Sequence, residues 1–338
     1  MADHERDGTT VRDPDGDPDR DFPEAPRADY SPEGVDRPVK TTTFATLKRT
    51  LKEFSEDNMT DWAAALTYYG LLSLFPALIA LVSIIGLVGN PATTIKTVTE
   101  IVHKISPNAS TKPFEAVARQ KSASGILFVV GIATALWSAS GYVGAFMRAS
   151  NVVWETPEGR SFIKLRPLQI LVTLIMILLL AAVLLSIVLT GPIVQAVAGP
   201  LGIGSTAVDI WGIAKWPVLL AVVMVMFGVL YHFSPNVKMP SFKWVTPGAV
   251  LAVVVWIIAS ALFAIYVANF GSYNKTYGTL GGLVALLVWM WITNCVLLLG
   301  MELNAERERN IEIHEGIPRA ERELQLEPRD PPKPKQTT

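Results

Sequence analysis

The sequence predicts an all-α polytopic membrane protein of six transmembrane helices, with its N- and C-termini in the cytoplasm. Three observations carry this. Half of the 338 residues are apolar and only 17% are charged, where soluble domains carry about a quarter. The charge is segregated: residues 1–61 hold 9 Lys/Arg against 16 Asp/Glu, residues 62–303 hold 13 against 6, and residues 304–338 hold 7 against 8. Six stretches contain no Asp, Glu, Lys or Arg at all: 62–95, 122–147, 167–208, 216–237, 244–274 and 276–301. The shortest of these, 22 residues, still exceeds the roughly 20 that a helix needs to cross a hydrocarbon core. An ordinary soluble globule and a fibrous protein are excluded by this pattern. A disulfide framework or thiolate metal cluster within the chain is excluded by the single cysteine, Cys295.

Taken in order, residues 1–40 read as a disordered acidic tail. They are rich in Asp and Pro (Asp13-Pro14-Asp15-Gly16-Asp17-Pro18), too polar to bury a core and unlike a basic, then apolar, signal peptide. The membrane domain covers 41–304. Its spans fall near 63–89, 125–147, 168–190, 215–233, 247–268 and 279–301. Between the first two, loop 90–123 carries Ile95, Val98, Val102 and Ile105 at three- and four-residue spacing, which predicts an amphipathic outer helix. The region 191–214 has Gly-Pro twice and reads as an apolar loop that either dips back into the bilayer or packs on the outer face. Trp62, Trp154, Trp211, Trp216 and Trp244 lie near span ends, as an interfacial aromatic belt requires. The segment 305–338 is a charged tail, helical at Glu306-Arg307-Glu308-Arg309 and disordered from 328.

Orientation follows from basic residues near the spans. With both ends inside, the inner segments hold 14 Lys/Arg and the outer loops 7, of which loop 90–123 alone holds five.

Apart from Lys215 at the very start of the fourth, no Asp, Glu, Lys or Arg lies within a predicted span, so the usual marks of a proton relay are missing. His4, His103, His232 and His314 are scattered and no metal motif joins them. Neither a nucleotide-binding loop nor a catalytic triad spacing is present. The reading is therefore of a protein that is not an enzyme and needs no cofactor. What remains are polar groups inside spans. Tyr69 and Ser73 are four apart on one face, and Pro76 removes the hydrogen bond to the Leu72 carbonyl. Ser138 and Ser140 follow in span two. Small-residue faces occur at Gly141/Ala145 and Gly278/Gly282. Tyr69, Ser73, Pro76, Ser138 and Ser140 are the candidate pathway, and Asn236, Lys238 and Glu302 the candidate inner gate. The alternative for each such residue is interhelical packing.

The segments Ala63-Ala64-Ala65-Leu66-Thr67-Tyr68-Tyr69 leading to Leu72-Ser73-Leu74-Phe75-Pro76, Leu230-Tyr231-His232-Phe233-Ser234-Pro235-Asn236 with Pro247-Gly248-Ala249, and Tyr277-Gly278-Thr279-Leu280-Gly281 running to Gly300-Met301-Glu302-Leu303-Asn304-Ala305 carry a resemblance. In these motifs the chain resembles the YihY/virulence factor BrkB family of bacterial inner-membrane proteins, sometimes labelled ribonuclease BN. The resemblance covers roughly 45–310. It implies six spans with cytoplasmic ends in the bacterial cytoplasmic (inner) membrane and assigns no catalytic residue. Together with hydroxyl and aromatic groups in charge-free spans, it leads to one expectation: transport or binding of a lipid or other amphiphile, with membrane lipids as partners and no nucleic acid. Hydroxyls in a span suit a headgroup that slides past them while its tail stays in the bilayer. The alternative is a non-transporting scaffold acting through tails or outer loop, and the remote alternative a ribonuclease.

Overall fold

The computed structural model describes residues 43–88, 125–188, 205–239, 245–269 and 279–332. The predicted acidic tail, the outer loop 90–123, Trp244, Gly278 and the last six residues lie outside these. The described residues form seven helices: α1 Thr43–Glu56, α2 Met59–Val88, α3 Gly125–Val153, α4 Phe162–Val188, α5 Ser205–Phe233, α6 Pro247–Asn269 and α7 Thr279–His314. Five of them are long and apolar enough to cross a membrane: α3 over Val129–Val153, α4 over Phe162–Leu184, α5 over Ile210–Phe233, α6 throughout and α7 over Gly281–His314. The first predicted span falls in α2, a helix of 30 residues that runs through Pro76.

Four boundaries differ from the sequence reading, for physical reasons. α1 was not expected as a separate helix. It ends at Asp57-Asn58, where Asn58 takes a left-handed φ of 53°, and α2 restarts at once. Helix α5 begins at Ser205 rather than near 215, because Asp209 and Lys215 break a charge-free stretch without breaking a helix. α7 runs 36 residues, well past Glu302, since the charges beyond that point find partners described below. The segment 315–332 is not a solvated tail: it folds back on the bundle, and Pro328 pairs with Val237 in an isolated β-bridge.

The core sits at one end of the bundle. Its buried residues come from the first half of α2 (Met59, Ala63, Leu66), α4 (Val172) and α6 (Ala249, Ala252, Val253). They come from the last half of α3 (Phe146, Met147, Val153), α5 (Leu230, Tyr231) and α7 (Leu298, Met301). Successive helices are thus antiparallel, and this terminal end gathers loop 154–161, loop 234–246, α1 and the returning tail. Trp154 is 5% exposed in this core; it is not an interfacial residue. The lower halves of α4, α5 and α6 leave large apolar side chains outward, Ile258, Leu262 and Ile265 among them, the surface a bilayer covers.

Helices α6 and α7 approach most closely where two glycines meet. A Cβ on Gly248 would lie 1.9 Å from the Gly300 carbonyl oxygen, and one on Gly300 would lie 2.5 Å from that of Gly248. This pair holds the place in the fold that the sequence reading gave to Gly278/Gly282; Gly282 faces open space.

Candidate functional site

A partly open cavity of about 300 Å³ lies midway along the helices, between α2, α3, α4, α5 and α7. α2 contributes Gly70, Ser73, Leu74 and Ala77. α3 contributes Ala139, Tyr142 and Val143, and α4 contributes Thr173, Met176, Ile177 and Leu180. α5 supplies Met226 and Leu230, and α7 supplies Trp289, Met290, Thr293 and Asn294. The volume is at the low end of small-molecule sites, about 300–1,000 Å³.

Five of these side chains are polar, but most spend their polarity inside the protein. Thr173 donates to the Gln169 carbonyl at 2.7 Å and Thr293 to that of Trp289 at 2.9 Å. Both are four-back helix bonds, which turn a hydroxyl inward and leave a methyl facing the space. A relay crosses the bundle: Tyr142 donates its hydroxyl to Asn294 Oδ1 at 2.8 Å, Asn294 Nδ2 donates to Thr67 Oγ1 at 3.1 Å, and Thr67 donates to the Ala63 carbonyl at 2.8 Å. Intramembrane amides need such partners, each bond contributing about 0.6–2 kcal/mol. The result is an almost wholly apolar wall. Trp289 also borders a second apolar groove of about 450 Å³ on the outer face between α6 and α7, with Phe263, Val267 and Leu286. Its indole donates to Ser260 Oγ at 3.2 Å, which fixes the ring between cavity and groove.

Of the five candidate pathway residues, Ser73 is 7% exposed and lines the cavity. Tyr69 sits one turn away, half-buried, with the Arg148 guanidinium 5.4 Å from its ring centre. Pro76 is half-buried beside the lining residue Ala77. Ser140 is fully buried, but its hydroxyl donates to the Trp137 carbonyl at 2.7 Å. Ser138 is on the exposed face of α3, because residues two apart on a helix point about 200° apart and cannot share a face. Tyr142, Thr173 and Thr67 were not selected from the sequence. Asn294 is the sequence signal that could have found Tyr142 and Thr67, since a span amide demands donors and acceptors nearby.

The candidate inner gate does not assemble as one group. Asn236 is fully buried and clasps the tail: its Nδ2 donates to the Pro157 and Asp330 carbonyls at 3.0 and 2.8 Å, and its backbone N–H donates to Asn151 Oδ1 at 2.8 Å. Lys238 is exposed and pairs with Glu327 at 2.8 Å. Arg329 secures the same segment, donating to the His232 and Val237 carbonyls at 2.6 and 2.8 Å. Gly159 gives this segment room, since a Cβ there would meet the Asp330 carbonyl at 1.9 Å. Glu302 is instead 2% exposed on α7, beside Asp57 and Glu306. Around it runs an ionic network: Arg49 to Glu306 at 2.9 Å, Arg309 to Glu306 at 2.8 Å, and Arg309 to Glu155 at 2.7 Å. Glu155 Oε2 also accepts the Leu324 backbone N–H at 2.6 Å. One network therefore ties α1, the α3–α4 loop, α7 and the tail.

Burial, then the charges of Glu155 and Glu53, push the Asp57 carboxyl up to about 6. An acid whose folded value is raised binds its proton more tightly when folded, so stability falls as pH climbs from about 4 to about 6 and is level above. The group is half exposed, which shrinks the effect. Asp57→Asn is expected to raise the melting temperature at pH 8 and to lose that advantage near pH 4, in thermal scans of nanodisc-embedded protein. A constant difference across that range contradicts the assignment.

The Virulence factor BrkB profile matches residues 50–324. The chain belongs to the Virulence factor BrkB family. Relatives of this BrkB-family protein include the ribonuclease-like protein YfkH of Bacillus subtilis, 34% identical over 245 residues, which are 72% of this chain and 88% of that protein. A UPF0761 membrane protein of Alteromonas mediterranea is 27% identical over 75% of this chain and 84% of its own. Another, from Pseudoalteromonas translucida, is 30% identical over 74% and 81%. No solved structure matches the chain. The match covers α2 to the returning segment around Leu324, and with five helices of spanning length it makes the chain a multi-pass membrane protein.

Proposed function

We propose that this BrkB-family protein binds, and moves or presents, the hydrocarbon part of a lipid-like amphiphile, without catalysing a reaction and without a cofactor. The observation that carries the proposal is the apolar cavity at mid-bundle, with Trp289 shared between it and the outer groove. Such a pair of spaces suits a chain entering from the side. The inward-turned Thr173 and Thr293 hydroxyls favour an acyl or isoprenoid segment over a headgroup, a change from the expectation drawn on sequence alone. We place α2 as a sixth span and the terminal end in the cytoplasm of a bacterial inner membrane, on the 14-to-7 excess of Lys/Arg in the inner segments.

The test fills the cavity. Ser73→Leu with Ala77→Phe is expected to strip a copurifying amphiphile at least severalfold, read by mass spectrometry of nanodisc-embedded protein, with the melting temperature little changed. Bulk lipid in membrane proportions from both proteins overturns the proposal.

A scaffold role is the second reading, favoured by the ordered polar surface that the returning segment builds at the terminal end. Deleting the chain from 306 does not separate the two readings, because it also removes Arg309 and Arg329. Charge reversal at exposed Arg322 and Glu323 does: it alters a docking surface and leaves the cavity intact. The name of the Bacillus relative speaks of ribonuclease. Among the described residues no group of three His, Cys, Asp or Glu side chains is arranged to hold a metal ion, and nothing there favours carrying that activity over.

A further inference from the structure

A second, smaller cavity lies at the terminal end, partly open and about 150 Å³ in volume. It shares no lining residue with the mid-bundle cavity. Its size is that of roughly five waters at about 30 Å³ each. Four parts of the chain meet around it. Trp154 follows the end of α3, Thr246 and Pro247 stand at the start of α6, and Arg307 belongs to the charged half of α7. Leu326 closes it from the returning segment, which is held in place by the Lys238 N–H donating to the Glu327 carbonyl at 2.8 Å.

Most polar groups on this wall are spent within the fold. Asn304 accepts the Gly248 N–H at 2.9 Å and donates to Thr246 Oγ1 at 3.0 Å, and Thr246 accepts the Ala249 N–H at 3.1 Å. Those bonds cap α6. His232 and Glu308 have interactions of their own. Trp154 differs. It is 5% exposed, and its indole N–H is buried with no acceptor among the described residues. Folded chains rarely leave a buried donor unpaired, so an orphan donor on a cavity wall calls for an acceptor that enters from outside the chain. Arg307 is exposed on the same wall and offers a guanidinium, the planar fork that matches a carboxylate or phosphate. The positive end of the α6 dipole also lies there, at Pro247. Met239, Ile311 and Leu326 supply apolar cover beside these donors.

We propose that this cavity binds an anionic oxygen group, carboxylate or phosphate, borne on a short apolar part, with the Trp154 N–H and the Arg307 guanidinium donating to its oxygens. The apolar part packs on Met239, Ile311 and Leu326, so the returning segment is one wall of the site. The site stands whatever the mid-bundle cavity holds.

The test uses the full chain labelled with 5-fluorotryptophan in phosphatidylcholine nanodiscs, the resonance of Trp154 being assigned by its loss in Trp154→Phe. Probes are butyrate and butyl phosphate in solution, butanol as their neutral counterpart, and phosphatidic acid built into the disc. At least one anionic probe is expected to move the Trp154 resonance saturably and to raise the melting temperature, with butanol doing neither. Arg307→Gln is expected to weaken that binding severalfold; the residue is exposed, so the fold survives its loss. A response to the soluble anions identifies a free ligand, and a response to phosphatidic acid alone identifies a lipid headgroup. No response to any anion overturns the proposal, as does a response that butanol matches or that Arg307→Gln leaves unchanged.

Discussion

Replacing Gly300 with valine is expected to prevent the bundle from closing. A Cβ at this position would meet the Gly248 carbonyl oxygen and the Tyr231 hydroxyl, both at 2.5 Å, and the Ala252 Cβ at 2.7 Å. Two of the three obstacles cannot turn aside cheaply. One is backbone, and the Tyr231 hydroxyl is already committed, donating to the Leu297 carbonyl at 2.7 Å. Overpacking a core costs about 1–3 kcal/mol when side chains can give way, so the cost here is expected at or above about 3 kcal/mol. Gly282→Ala is the matched control. Nothing lies within 4 Å of its added methyl, and alanine is the better helix former by about 1 kcal/mol. Measured in detergent, Gly300→Val should leave little folded protein, while Gly282→Ala should melt at or slightly above the parent. Comparable stability of the two variants would show that α6 and α7 do not meet through Gly248 and Gly300.

Arg309→Met is the second large effect. The guanidinium is 3% exposed and holds Glu306, 1% exposed, together with Glu155. Breaking a buried pair by removing one partner costs about 3–5 kcal/mol, because the surviving charge stays buried without compensation. Losing Arg309 also frees Glu155, the acceptor for the Leu324 backbone N–H, so the returning segment should loosen with it. The expected readout is a large fall in melting temperature with new proteolytic cleavage between 315 and 332. Glu306→Gln on the same background should recover part of the stability, since it removes a buried charge left with Arg49 alone as its cation. A double variant no more stable than Arg309→Met would mean that Glu306 is not the charge Arg309 neutralises.

Much of this architecture is legible in the chain, and the reasons differ from element to element. Charge-free stretches mark helix interiors, so α6 falls within a residue of its expected bounds. They mark ends poorly. A charged residue need not end a helix: Asp209 lies inside α5 and Glu302 inside α7, and both helices extend beyond them. The return of 315–332 was not legible: it depends on Asn236 and Arg329 meeting carbonyls 94 and 97 residues away in sequence. For the same reason the Asn236, Lys238 and Glu302 set dissolved into a tail clasp, a surface pair and a buried carboxyl. In the candidate site, helical spacing put Ser73 on the face of α2 that lines the cavity. It did not say that hydroxyls at Ser140, Thr173 and Thr293 bond their own helices, an option open to any Ser or Thr in a span.

The most direct test of the central claim is photocrosslinking with a lipid that carries a diazirine in its acyl chain, followed by peptide mapping of protein in native-like membranes. A chain held at mid-bundle predicts labels at cavity residues on at least three helices, such as Tyr142 on α3, Met176 on α4 and Met290 on α7. These should fade in the Ser73→Leu, Ala77→Phe variant. Labels confined to outward residues such as Ile258, Leu262 and Ile265, unchanged in that variant, would mean that the cavity holds no lipid chain.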